Sequence, residues 1–192
     1  MKVLTSVLMT IIILIVLSLK ISAQEKDMAA QQKAWMEYMT PGPAHNWMAE
    51  SAGEWKTAIK LWMDPAAPPT VSEGSCKQEM ILGGRYLKST HTSTMMGMAY
   101  EGLMLQGFDN KTKEFTSIWM DNFGTGTMVS KGKYDQNNKT LTLNGTAVDP
   151  LSDKDAAYKQ TLKIIDKNKM VMEMFMVNDG KETKTMEVEY TR

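Results

Sequence analysis

Gln136-Asn137-Asn138-Lys139-Thr140-Leu141-Thr142-Leu143-Asn144 decides the fold. The Gln-Asn-Asn run marks a turn, and Leu141 and Leu143 then alternate with Thr142 and Asn144. Side chains along a strand point to opposite faces in turn. The pattern therefore predicts a half-buried strand with both leucines inward and Thr142 and Asn144 toward water. Further turn pairs stand at Asp109-Asn110, Lys167-Asn168 and Asp179-Gly180. Spacings of roughly a dozen residues or a little more between turns are the mark of many short antiparallel strands.

Working outward, strands are predicted over 55–63, 71–82, 85–96, 98–109, 114–121, 126–135, 140–149, 158–166, 169–178 and 182–191. In the first, Trp55, Thr57, Ile59, Leu61 and Met63 share one face; Pro65, Pro68 and Pro69 then forbid continuation. Short connections and no crossover helix exclude a parallel sheet and imply up-and-down antiparallel order. Such a set closes into a barrel or packs as a sandwich, and about ten strands favour a barrel with a small interior cavity. Two helices are expected ahead of the strands. Residues 24–39 are rich in helix formers, with Met28, Gln32, Trp35 and Met39 near one face, and Pro41-Gly42-Pro43 ends them. A short second helix over 45–51 starts near Pro43 and stops near Gly53. The expected organisation is a signal segment over 1–23, a helical segment over 24–53 and a barrel over 54–192.

Lys2, an apolar run from Val3 to Leu19 and Ile21-Ser22-Ala23 before Gln24 read as a cleavable secretory signal. The expected location is periplasmic or secreted, with no stable membrane anchor after cleavage. The whole chain balances 22 basic against 22 acidic residues; loss of Lys2 and Lys20 leaves the mature chain slightly acidic. That argues against a nucleic-acid partner, whose binding needs a clustered positive field. Cys76 is the sole cysteine, so no intrachain disulfide forms and core burial must hold the domain.

Methionine is the compositional outlier, at 19 residues. Met170, Met172, Met174 and Met176 share one strand face, and Met95, Met96 and Met98 flank a turn. Thioethers suit Cu(I), but methionine also fills irregular interiors, and its excess here runs through helices, strands and turns alike. Packing and pocket lining is the preferred reading. His45 and His91 with Cys76 give no zinc spacing, and no metal site is assigned. No nucleophile elbow, zinc-protease or phosphate-loop motif occurs, so no catalytic residue and no cofactor is assigned. The polar and soft groups set to face a cavity are Arg85, His91, Met96, Tyr100, Trp119, Asp121, Met172 and Met174. Arg85 with Glu79, and Trp119 with Asp121 and Asn122, also lie next to turns, where turn hydrogen bonds or a surface ion pair account for them.

Several segments then stand together in order. They are Glu79-Met80-Ile81-Leu82-Gly83-Gly84-Arg85, Met95-Met96-Gly97-Met98 with Tyr100-Glu101-Gly102, Gly107-Phe108-Asp109-Asn110, Trp119-Met120-Asp121-Asn122-Phe123-Gly124-Thr125, Asp179-Gly180-Lys181-Glu182 and the ending Met186-Glu187-Val188-Glu189-Tyr190-Thr191-Arg192. This set resembles the bacterial family of domain of unknown function 1579, over roughly residues 45–192. The resemblance implies a calycin-like, lipocalin-type barrel and an exported bacterial protein. It implies no activity, and no functional residue is carried over from it. The expected function is binding of one small apolar or amphipathic molecule. The alternatives are an enzyme acting in the cavity through Asp121 or His91, and a periplasmic copper or haem carrier.

Overall fold

The computed structural model describes residues 20, 24–149 and 154–192. The expected signal segment lies almost wholly outside the described residues. The chain divides into two compact units, with the break between Thr40 and Pro41. In the first, residues 24–39 form a helix, α1, exposed along its length, with an edge-on contact of Trp35 and Tyr38.

The second unit holds a short helix, α2 (Pro43–Glu50), and ten strands. These are β1 (Gly53–Leu61), β2 (Thr70–Ile81), β3 (Tyr86–Met95), β4 (Met98–Asp109), β5 (Glu114–Asp121), β6 (Met128–Asp135), β7 (Thr140–Asp149), β8 (Lys154–Asp166), β9 (Lys169–Asn178) and β10 (Lys181–Thr191). Each strand pairs antiparallel with its chain neighbours, and β1 pairs with β10 to close the barrel. The architecture is the one expected from the turn spacing. Leu141 and Leu143 face inward at 1% and 2% exposure, whereas Asn144 is exposed.

Several strand ends depart from the predicted ranges by one to four residues. The predicted first strand runs to Met63, but β1 ends at Leu61 and Met63 is exposed. β8 begins at Lys154, four residues earlier than predicted. Bulges also interrupt β8 near Ile165 and β10 at Thr185. A bulge inserts one unpaired residue and flips the parity of the residues beyond it. That is why Met186, Val188 and Tyr190 face the interior together with Met172 and Met174.

Strand directions give the barrel two unlike ends. One carries the turns after β2, β4, β6 and β8, and α2 plugs it. Pro43 at the first helical turn and Gly42 before it set the helix start. The Gly42 amide donates to His45 Nδ1 at 3.0 Å. Burial lowers the His45 pKa, and Arg85 nearby pushes the same way. Met48 is fully buried among Leu87, Phe115, Leu141 and Leu143. Arg192 fastens this end: it donates to the carbonyls of Lys167 (2.8 Å), Ala52 (2.9 Å) and Glu50 (3.2 Å), with its guanidinium 4.1 Å from the centre of a Trp55 ring. The other core cluster, with Trp55, Ile59, Met170 and Val188, lines β1, β9 and β10.

β9 carries apolar side chains on both faces, with Val171, Phe175 and Val177 opposite the methionines. On the outer face, Phe175 lies under the ammonium groups of Lys159 and Lys184, at 5.7 and 5.9 Å. Those lysines pair with Glu182, Glu173 and Glu187. Long lysine stems thus cover apolar surface while their charges stay in water.

Candidate functional site: the barrel lumen

All ten strands contribute side chains to an interior cavity of about 300 Å³. Its geometry follows from one cross-strand row. Trp55 on β1 pairs with Cys76 on β2, Cys76 with His91 on β3, His91 with Gly102 on β4, and Gly102 with Asp121 on β5. Gly102 is the gap in that row. A Cβ there would lie 2.5 Å from the Trp119 ring. The missing side chain lets the Trp119 indole lie across β4 and reach the His91 ring edge-on, with centroids 5.1 Å apart. Tyr190 meets His91 from the other side at 6.1 Å.

Asp121 organises the end opposite α2. Its Oδ2 accepts from Trp119 Nε1 (2.8 Å) and from the Tyr100 hydroxyl (3.2 Å), and its Oδ1 accepts from the Phe123 amide (3.0 Å). The carboxylate therefore serves the turn and the cavity wall at once. Burial raises the Tyr100 pKa, and the Asp121 charge raises it further. Burial likewise raises that of Tyr190. Both phenols are neutral donors.

Deeper in, His91 Nε2 and Cys76 Sγ stand 3.5 Å apart. Burial pushes the His91 pKa down to about 4 and the Cys76 thiol up to about 11. Desolvation penalises the charged form of each. The pair is a neutral imidazole beside a neutral thiol, opposite to the depressed thiol pKa of an activated nucleophile. Among the described residues, no three His, Cys, Asp or Glu side chains converge as a metal-binding group.

The wall is mostly apolar with polar groups set into it. Ile59, Leu162, Met172, Met174, Met186 and Val188 line β1 and β8 to β10 together with Thr57 and Gln160. Gln78, Ser93, Gln106 and Ser117 line β2 to β5 together with Met95 and Met104. Gln78 Oε1, Ser89 Oγ and Ser93 Oγ are buried without a protein hydrogen-bond partner. A buried polar atom left unpaired costs about 1–3 kcal/mol.

Residues 40–192 match the family described as "Protein of unknown function (DUF1579)". The chain belongs to that family. The match starts within the link between α1 and α2, so the DUF1579 region includes the plug helix and the ten described strands. Among solved structures, this DUF1579 chain is similar to Rv2717c from M. tuberculosis. The TM-score is 0.59 at 13% identity, covering 80% of this chain and 99% of that one. That likeness is one of fold. A search of curated proteins returned no match.

Of the eight side chains proposed from sequence, the lumen gathers His91, Tyr100, Trp119, Asp121, Met172 and Met174. It does not gather Arg85 or Met96. Arg85 belongs to the turn at the plugged end, where Nη1 donates to the carbonyls of Leu82 (3.2 Å) and Gly83 (3.3 Å). Glu79 pairs across strands with Lys88 at 3.1 Å. Met96 takes the left-handed conformation in the β3–β4 turn and is exposed; its neighbour Met95 faces in. Gln78, Gln106 and Ser117 were missed. Each shares strand parity with an inward residue, and that parity was the available signal.

Proposed function

We propose that the lumen binds one small amphipathic molecule, admitted from the end opposite α2. The observation that carries the reading is a largely apolar cavity into which a few polar groups project, among them Gln78 Oε1 and Ser93 Oγ without a protein partner. Ligand pockets are mostly apolar with a few convergent polar groups, and about 300 Å³ stands at the small end of their range. A ligand with an apolar body and one hydrogen-bonding head matches such a lining. His91, Cys76, Tyr100 and Tyr190 are neutral and the Asp121 carboxylate is already held by Trp119, Tyr100 and the Phe123 amide, which together favour an uncharged ligand.

Titration with the neutral fluorophore N-phenyl-1-naphthylamine tests this. The expected result is saturable binding that Ser117→Trp, which fills the lumen, abolishes while the variant stays folded. Binding that survives the filled lumen would overturn the reading. The apolar leader before Gln24 supports action outside the cytoplasm. N-terminal sequencing of protein made by its own host tests that, with a start near Gln24 expected and an intact leader refuting it.

A further inference from the structure

A second, larger concavity of about 1020 Å³ lies at the plugged end, between α2 and the β4–β5, β6–β7 and β8–β9 turns. It shares no lining residue with the lumen. Its inner wall is aromatic. Trp47 packs against Tyr134 with centroids 4.5 Å apart and against Phe115 at 5.3 Å, and Phe115 meets Phe108 at 4.8 Å. Its rim is basic. Lys113, Lys133, Lys139 and Lys167 line it, against Glu50 and Asp166. The ion pairs of the described barrel engage Lys60, Lys88, Lys159, Lys169 and Lys184, and none of the four rim lysines.

The turns explain why the charges gather there. Lys113 and Lys139 each end a turn with positive φ, at 60° and 51°. The Lys113 amide donates to the Asp109 carbonyl at 2.8 Å, and the Lys139 carbonyl accepts from the Ile164 amide at 3.3 Å. Backbone bonds thus hold both lysines at the edge of an aromatic recess. Asp166 is committed to its own turn, accepting from the Asn168 amide at 2.7 Å.

We propose that this cleft is a ligand site for a planar aromatic anion, an aryl carboxylate or aryl sulfonate. The ring system stacks against Trp47 and Tyr134, and the anionic group meets the lysine rim. Offset stacking on aromatic side chains and charge-assisted contacts to ammonium groups supply the two halves of recognition. The lumen, whose wall carries the Asp121 carboxylate and whose volume is smaller, selects a different class.

The test uses the mature chain and 8-anilinonaphthalene-1-sulfonate, which is an aromatic sulfonate and fluoresces on burial. Titrations compare the unaltered protein, the double variant Lys133→Glu with Lys167→Glu, and the lumen-filled Ser117→Trp. Both lysines are exposed, so their replacement leaves the core intact. Two charge reversals are expected to weaken binding on the order of ten-fold or more, with Ser117→Trp unchanged. Added salt is expected to weaken binding to the unaltered protein, because an exposed rim is screened. Loss of binding in Ser117→Trp with retention in the double variant places the probe in the lumen and overturns the proposal. Equal binding to all three proteins overturns it too. Failure of N-phenyl-1-naphthylamine in the lumen would leave these outcomes unaffected.

Discussion

Acid should destabilise this barrel through His91. His91 faces the lumen with its ring between Trp119 and Tyr190, and burial pushes its pKa down to about 4 from 6.5. The folded protein therefore refuses a proton that the unfolded chain accepts. Stability from the neutral imidazole is fully present above about pH 6.5, falls as pH drops through the window, and levels off for this group below about pH 4. The gap of about 2.5 units corresponds to about 3 kcal/mol at 1.36 kcal/mol per unit. His45, also lowered by burial, acts in the same direction. Urea denaturation across the window, on the unaltered protein and on His91→Gln, isolates the effect from carboxylate titration. The unaltered protein should lose about 3 kcal/mol more than the variant. Parallel profiles would refute the reasoning, because they would mean that water already reaches the imidazole and holds it near its ordinary pKa.

Leu143→Ala should cost about 2–4 kcal/mol and Thr142→Ala less than about 1, since only the first opens a cavity in the core; equal losses in chemical denaturation would mean that the two faces of β7 do not differ as described. Gly102→Val should displace the Trp119 indole and cost about 1–3 kcal/mol by overpacking, read as a changed tryptophan emission and a lower midpoint; an unchanged spectrum would refute the close approach. Cu(I), titrated against a competing chelator, should bind no tighter than about micromolar, because alternate sulfurs along β9 lie roughly 7 Å apart. A stoichiometric sub-nanomolar site lost in Met172→Leu with Met174→Leu would show the opposite.

Much of the barrel was legible because the turn chemistry is explicit. Asp109-Asn110, Lys167-Asn168 and Asp179-Gly180 each fall where the chain reverses, and alternation in β7 assigns its faces correctly. β4, β5, β7 and β9 begin and end where the pattern places them. Parity carries only as far as a strand is regular. The bulge at Thr185 is invisible in composition, yet it brings Met186 and Val188 into the lumen. Arg85 and Met96 lie outside the lumen because each sits beside a glycine turn and follows the geometry of that turn. The plug formed by α2 had a start signal in Pro43, but no sequence feature says that Met48 enters the barrel end. The basic cleft depends on three turns separated in the chain, and no local window contains it.

Closure of the barrel between β1 and β10 has a consequence for how the chain is made. Lys56 pairs with Thr191 and Thr57 with Tyr190, so one flank of the first strand finds its partner in the last. During synthesis β2 to β9 can zip successively, each on its predecessor, while β1 keeps an open flank and the newest strand keeps another. Two unpaired edges persist until β10 has emerged, and exposed edges are where chains pair with the wrong neighbour. Non-local pairing of this kind also folds slowly. The interval between the appearance of β1 and of β10 is therefore the period in which a holding chaperone would matter most to this protein.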